Sequence, residues 1–241
     1  MNSQSNQPTV LTDTEIKNGI VDGIESANRM FERWSGGWWV SDYGVESMVA
    51  VHVAGALFDV AEGRRGLVTM ENPCHELVDL AGRNNDAQWP LGDALIKSQR
   101  VDVAVWRPAD EVEQERLRAG VWFHVPVGVV ELKRQWLYGP CREDLVRVST
   151  IVSRLGPSGN GTIEWGAVGF FIHNNPDEGR TIENAQQGVR NMLTEPDFET
   201  AGCRYDVSFG RTYGYDHKKY RRPSWGEYQC SAACILVTPK G

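Results

Sequence analysis

The sequence predicts an α/β fold in which a mixed sheet is covered by helices on both faces. Short apolar runs typical of buried strands alternate along the chain with segments of helical periodicity, and VPVGVV at 125–130 is the clearest of these runs. The chain has 241 residues, of which 41% are hydrophobic and 24% are charged, so it can bury a large core. No repeat or linker divides it, which indicates a single domain over residues 1–241.

In the first half of the chain, residues 15–33 fit a polar helix. Residues 45–63 form a second helix, because apolar residues recur there at helical spacing almost all round, which is typical of a buried helix. A strand follows at 67–70 and is closed by Asn72 and Pro73. Residues 74–99 show no regular pattern, and a second strand is predicted at 100–106.

The second half begins with an acidic insert at 108–120, which has helical character. The remaining segments are a strand at 125–136, a helix at 141–156, a strand at 162–173, a helix at 180–193 and a β-rich tail around a basic turn at 205–237. A helix, three strands, a helix and a fourth strand therefore follow one another from residue 44 to residue 172.

The strand at 125–136 ends in two charges, Glu131 and Lys133, which lie two residues apart and so share one face. Charges at the end of a buried strand are costly unless they are paired or bound to a metal. The spacing alone carries little information, because Glu15 and Lys17 repeat it in a polar segment with no strand before it. The context differs, since the preceding strand carries a lone acid, Asp102.

If these two strands pair, Asp102 and Glu131 converge with the backbone carbonyl of Leu132 nearby. Two carboxylates and a carbonyl suit Mg²⁺ or Mn²⁺, which prefer oxygen ligands. Lys133 would point at the same place, where it could orient or help deprotonate a bound water and stabilise charge on a phosphate. This combination favours hydrolysis of phosphodiester bonds. The alternative is an incidental set of strand-end charges.

Asp102 with Glu131-Leu132-Lys133, in this order of elements, resembles the PD-(D/E)xK nuclease superfamily, which has the restriction-endonuclease-like fold. The resemblance covers residues 44–172 as an αβββαβ core and leaves an N-terminal helical addition and a C-terminal extension at 173–241. It implies a metal-dependent endonuclease that most often cuts DNA, with a role such as defence against foreign DNA. The sequence departs from the family pattern at Val101, where the family name puts proline, and in the insert at 108–120.

The resemblance also implies that Glu46, which opens the helix at 45–63, joins the site as an auxiliary acid. The alternative is a charge that simply favours the N-terminus of the helix. Glu71 could approach the same site from the first strand. Gln135 and Trp136 could touch the substrate, although packing is the more ordinary role for Trp136.

A basic turn supplies candidate nucleic-acid contacts. The net charge of −7 argues against indiscriminate binding to a polyanion, but residues 204–222 contain six basic and two acidic residues. Tyrosines and a tryptophan are interleaved with these cations, a mixture that suits backbone contact with stacking on exposed bases. The candidate contacts are Arg211, Lys218, Lys219, Arg221 and Arg222. The alternative is an ordinary solvated cluster.

Two other functions stay open. The same fold could serve as a catalytically inactive nucleic-acid-binding or assembly module, although such proteins usually lose the lysine or the first acid. A glycoside hydrolase with two carboxylates is also possible, but it leaves Lys133 without a role. Only the tryptophan-rich stretch at 34–39 would favour it, and packing is the commoner role for such residues. A zinc site at Cys230, Cys234 and His217 is disfavoured by its spacing.

The remaining features predict a cytoplasmic protein. No segment approaches the roughly 20 apolar residues of a membrane span, and the polar N-terminus does not resemble a secretory signal. Five scattered cysteines without a CxxC pair suit a reducing compartment. Nucleases of this kind often act as dimers, so a homodimer is possible, but the sequence identifies no interface for one.

Overall fold

In the computed structural model of the protein, the residues that the structure describes form one mixed sheet of seven strands. The structure describes residues 11–81, 99–116, 123–174, 179–200, 202–214 and 228–240. The described strands are β1 (Leu67–Pro73), β2 (Arg100–Pro108), β3 (His124–Lys133), β4 (Trp165–His173), β5 (Cys203–Phe209), β6 (Tyr213–Gly214) and β7 (Gln229–Pro239). Their order across the sheet is β1-β2-β3-β4-β7-β5, and β6 pairs with β7. β3 and β4 run parallel, and the other paired strands run antiparallel.

Helices cover both faces of this sheet, as the sequence predicts. The described helices are α1 (Asp13–Ser35), α2 (Val40–Tyr43), α3 (Glu46–Glu62), α4 (Cys74–Ala81), α5 (Glu111–Arg116), α6 (Tyr138–Leu155), α7 (Ile182–Met192) and α8 (Pro196–Thr200). The helices α1 and α3 pack on one face of the sheet, and α4, α6 and α7 pack on the other. An α/β fold with a mixed, helix-covered sheet is therefore confirmed.

The N-terminal helix is more deeply packed than its polar composition predicts. Ile16, Ile20 and Ile24 are buried and belong to the same core as strand residues Val130 and Leu132. Their spacing of four residues places them on one face of α1, so the helix covers the sheet beside α3. Gly23 allows the close approach of the two helices, because an added Cβ would lie 2.5 Å from Val53 Cα.

Two expectations about the segment after α3 are corrected by the structure. Residues 74–81 are helical, whereas no regular element is predicted there. Their buried residues recur at i, i+3, i+4 and i+7, which is the helical spacing that the prediction overlooks. β1 also continues through Asn72 to Pro73 instead of stopping before them. Proline is tolerated there because β1 lies at the edge of the described sheet.

Placing a methyl group at Gly23 tests the packing of α1 on α3. We expect Gly23→Ala to lower the free energy of unfolding by about 1–3 kcal/mol, since the helices must separate to accept the methyl group. Gly55→Ala on α3 is the matched control, because no atom of the described residues lies within 4 Å of an added Cβ there. It should be neutral or stabilising by up to about 1 kcal/mol in the same urea titration. Equal stability of the two variants would contradict this packing.

Candidate functional site

The sheet opens between β2 and β3 at the end that carries the predicted motif. The last residue pair that joins these strands is Val103 with Val130. Beyond it, β2 continues alongside β1 through the pair of Val101 with Asn72, and β3 continues alongside β4 as far as Lys133. The two strands therefore turn to different neighbours and leave a gap between them, which we call the β2–β3 gap.

Asp102 lies in this gap, as the motif predicts. Its Oδ2 atom accepts the backbone N–H of Leu132 at 2.6 Å, so the carboxylate replaces the backbone acceptor that a continued ladder would supply. Because the N–H and C=O of one strand residue point to the same side, the Leu132 carbonyl also faces the gap. Lys133 Nζ lies 3.2 Å from that carbonyl oxygen.

The surroundings of Asp102 disfavour its charged form. Burial raises the pKa of its carboxyl from 3.8 to about 6, against the opposing effects of the Leu132 N–H and the Lys133 ammonium. The charges of Glu46 and Glu71 raise the pKa further, so both acids lie within electrostatic reach of Asp102. Desolvation therefore disfavours the negative charge of Asp102, and the neighbouring carboxylates disfavour it further.

Glu131 is buried on the face of the sheet that α6 covers, and its side chain is only 2% exposed. Its Oε2 atom lies 2.5 Å from Arg147 Nη2, whereas Oε1 has no hydrogen-bond partner among the residues described. Burial raises the pKa of the Glu131 carboxyl well above its ordinary value, although Arg147 opposes this shift. Asp102 and Asp144 act in the same direction as burial, so the three acids lie within electrostatic reach of one another.

Lys133 joins three parts of the site. Its ammonium nitrogen lies 2.8 Å from Asp144 Oδ2 and 3.4 Å from Glu46 Oε1. Burial lowers the pKa of Lys133, but the hydrogen bond and charge of Asp144 and the charge of Glu46 outweigh it and raise the pKa above its ordinary value. Lys133 therefore stays protonated at neutral pH. This favours a role in orienting groups and stabilising charge over the alternative in which it deprotonates a water.

The helix α6 supplies two site residues that sequence inspection did not single out. Asp144 and Arg147 lie 3.1 Å apart through Oδ1 and Nη2, and Arg147 Nη1 donates to Gln99 Oε1 at 2.7 Å. A signal for Asp144 exists, because it lies three residues after Cys141 and four before Val148 in the buried stripe of α6. An acid in such a stripe needs a buried partner.

The other predicted residues differ in whether they contact this cluster. Glu46 also accepts the backbone N–H of Arg134 at 3.4 Å, so it belongs to the cluster. Glu71 has a positive φ of 55° and lies 3.9 Å from Arg100. Trp136 packs against Phe170 in a tilted arrangement, with 5.0 Å between ring centroids, which fits a packing role.

Among the predicted nucleic-acid contacts, the structure describes only Arg211. Arg211 is exposed, and its backbone N–H donates to Glu25 Oε1 at 3.0 Å. The other predicted contacts lie outside the described residues and are Lys218, Lys219, Arg221 and Arg222. His217, a candidate zinc ligand, also lies outside them. Cys230 and Cys234 are buried thiols in β7 that form no disulfide bond.

The tryptophans of the stretch at 34–39 differ in solvent exposure. Trp39 is 3% exposed and packs in the core, whereas Trp34 is 71% exposed. A packing role therefore holds for Trp39 but not for Trp34.

The oxygen atoms of the β2–β3 gap fit a divalent cation in chemistry, although they are engaged by cations of the chain itself. In the ranges that the structure describes, no group of three or more His, Cys, Asp or Glu side chains is arranged to hold a metal ion. Arg147 takes one oxygen of Glu131, and Lys133 contacts both Glu46 and the Leu132 carbonyl. The buried Oε1 of Glu131 is the atom that a cation could satisfy without breaking a contact.

Comparisons with protein families, with curated proteins and with solved structures found no match to this chain. The resemblance to PD-(D/E)xK nucleases therefore depends on Asp102, on Glu131 to Lys133 and on the order of the elements. None of the described helices combines the length and the hydrophobicity that crossing a membrane requires.

Neutralising Asp102 tests the electrostatics of the gap. Because the folded pKa of about 6 exceeds the ordinary 3.8, the native state loses stability as the pH rises from about 4 to about 6. We expect Asp102→Asn, which can still accept the Leu132 N–H, to unfold at a higher temperature than the wild type at pH 8. The gain is at most about 3 kcal/mol and should vanish at pH 4.

Asp59→Asn serves as the control for this comparison, because Asp59 is an exposed aspartate on α3. A gain for Asp102→Asn that persists at pH 4, or a loss of stability at pH 8, would contradict the assigned environment.

Proposed function

We propose that the protein is a metal-dependent nuclease that hydrolyses phosphodiester bonds on a restriction-endonuclease-like core, with DNA as the favoured substrate. The observation that supports this function is the convergence of Asp102, Glu131 and Lys133 at the β2–β3 gap. An ordinary set of strand-end charges would lie at the surface, whereas Glu131 is buried with one oxygen unpartnered among the described residues. Buried, perturbed carboxylates of this kind are markers of functional sites.

Asp102, Glu131 and the Leu132 carbonyl would hold Mg²⁺ or Mn²⁺. Carboxylate and carbonyl oxygens are the ligands that these ions prefer, and a cation would offset the charge that burial disfavours at Asp102 and Glu131. When bound, such an ion lowers the pKa of water and stabilises negative charge that develops on a phosphate.

Lys133 would hold a positive charge beside the scissile phosphate. Two of its contacts, to Asp144 Oδ2 and to the Leu132 carbonyl, fix the ammonium at the gap. The third contact, to Glu46, is the longest at 3.4 Å, and the Glu46 side chain is 43% exposed. A phosphate oxygen could therefore take the place of Glu46 and accept a hydrogen bond from Lys133. A preorganised cation of this kind stabilises the transition state without having to move.

A nucleic-acid-binding module without catalytic activity is a second candidate. It is favoured by the balance of charges at the site, since Lys133 and Arg147 already neutralise acids there. Such a cluster could be a structural network that needs no metal ion. In that case the exposed Arg211 and its basic neighbours in sequence would carry the binding.

A cleavage assay with matched lysine variants distinguishes these functions. Wild-type protein is incubated with supercoiled plasmid, single-stranded DNA or RNA, in the presence of Mg²⁺, Mn²⁺ or EDTA. We expect cleavage that depends on the metal and that Lys133→Ala slows by at least about 100-fold, because a preorganised charge at the phosphate is lost. Lys17→Ala is the matched control: its lysine has the same Glu-x-Lys spacing but lies on α1 and pairs with Asp206.

Cleavage by Lys133→Ala at the wild-type rate would show that the site is assigned wrongly. Salt-dependent binding of nucleic acid without cleavage under any of these conditions would instead support the inactive module.

A further inference from the structure

We infer that Asp144 and Arg147 are positioning residues of this site, so that α6 sets the geometry of groups that β3 supplies. Arg147 orients Glu131, and Asp144 orients Lys133. This inference rests on the proposed function, because it assigns these residues to the divalent cation and to the ammonium beside it.

Arg147 contacts one carboxylate oxygen of Glu131 and one of Asp144. The second oxygen of each carboxylate does not contact Arg147. Its Nη2 atom lies 2.5 Å from Glu131 Oε2 and 3.1 Å from Asp144 Oδ1. The oxygen that remains on Glu131, Oε1, is buried without a partner among the described residues. The oxygen that remains on Asp144, Oδ2, lies 2.8 Å from Lys133 Nζ. One guanidinium therefore fixes both acidic groups in orientations that serve the gap.

The guanidinium is itself held in place. Its Nη1 atom donates to Gln99 Oε1 at 2.7 Å, and Gln99 directly precedes β2. The Arg147 side chain therefore links the start of β2, which carries Asp102, to β3, which carries Glu131. A planar fork with several donors suits this task, because it can hold two partners at fixed angles.

The burial of these groups argues against a role in stability alone. The side chains of Glu131, Asp144 and Arg147 are 2%, 11% and 18% exposed. Desolvating such charges costs about as much as their attraction returns, so apolar residues of similar volume would stabilise the fold as well or better. Residues behind a metal ligand commonly orient it, and their loss weakens metal binding about 10- to 100-fold.

The role of Arg147 is tested by the binding of Mn²⁺ alone, measured by electron paramagnetic resonance on the full chain. We expect Arg147→Gln to weaken Mn²⁺ binding about 10- to 100-fold, because Glu131 loses the partner that orients Oε1. Arg147→Lys should recover part of the affinity, since it keeps the charge without the fork. Arg154→Gln is the matched control, because Arg154 is an exposed arginine of the same helix. Circular dichroism verifies that each variant is folded.

The role of Asp144 is tested by the separation of kcat from KM in plasmid cleavage. Asp144→Asn should lower kcat at least about 10-fold and leave KM and Mn²⁺ affinity within about two-fold, because it displaces Lys133 without removing a proposed metal ligand. Asp144→Glu should restore part of kcat. A merely structural role would lower stability without this separation.

Three results decide the inference. Mn²⁺ binding by Arg147→Gln that equals or exceeds that of the wild type would overturn it, because the arginine would then be a bystander or a competitor of the cation. Mn²⁺ binding by the wild type without cleavage of any nucleic acid would overturn the proposed function, while the binding data would still decide the role of Arg147. A wild type that binds no Mn²⁺ would overturn both.

Discussion

The burial of a carboxylate at the end of β3 is the constraint on which the rest of the site depends. Glu131 is enclosed between the sheet and α6, where an uncompensated charge is costly. Arg147 supplies one compensation, and it can do so only because α6 crosses β3 at this level. The same guanidinium holds Asp144, and Asp144 in turn holds Lys133. One buried charge thus explains why a helix that otherwise packs through apolar residues carries two charged residues on its inner side.

The divergence of β2 from β3 places the Asp102 carboxylate beside this ion-pair network. Had the strands continued to pair beyond Val103 and Val130, the backbone of β2 would occupy the β2–β3 gap. The gap instead receives the Asp102 carboxylate and leaves the Leu132 carbonyl facing it. The raised pKa of Asp102 records the cost of this arrangement. Local destabilisation of this kind is common where function requires groups that folding alone would not retain.

Much of this geometry follows from residue patterns, and the exceptions have physical causes. The alternation of valines in β3 predicts both the strand and the face shared by Glu131 and Lys133, since the side-chain period of a strand is two. The convergence of Asp102 with Glu131 requires only that the two strands be neighbours. The position of Asp144 in the apolar stripe of α6 indicates a buried acid, but its partners and those of Arg147 depend on how α6 lies across the sheet, which no local pattern encodes. Residues 74–81 are missed because eight residues give a weak periodic signal. The helix α1 is taken for a polar helix because glycines, Glu25 and Asn28 interrupt the apolar residues of its buried face.

The proposed nuclease function requires that a divalent cation bind in the β2–β3 gap through Asp102, Glu131 and the Leu132 carbonyl. Crystals grown with Mn²⁺ and measured at a wavelength where manganese scatters anomalously would locate such a cation. We expect one strong anomalous peak in the gap, about 2.0–2.4 Å from oxygens of Asp102 and Glu131, with Arg147 still bound to the other oxygen of Glu131. A gap without such a peak at millimolar Mn²⁺, with the same ion pairs intact, would show that the cluster is a structural network and not a metal site.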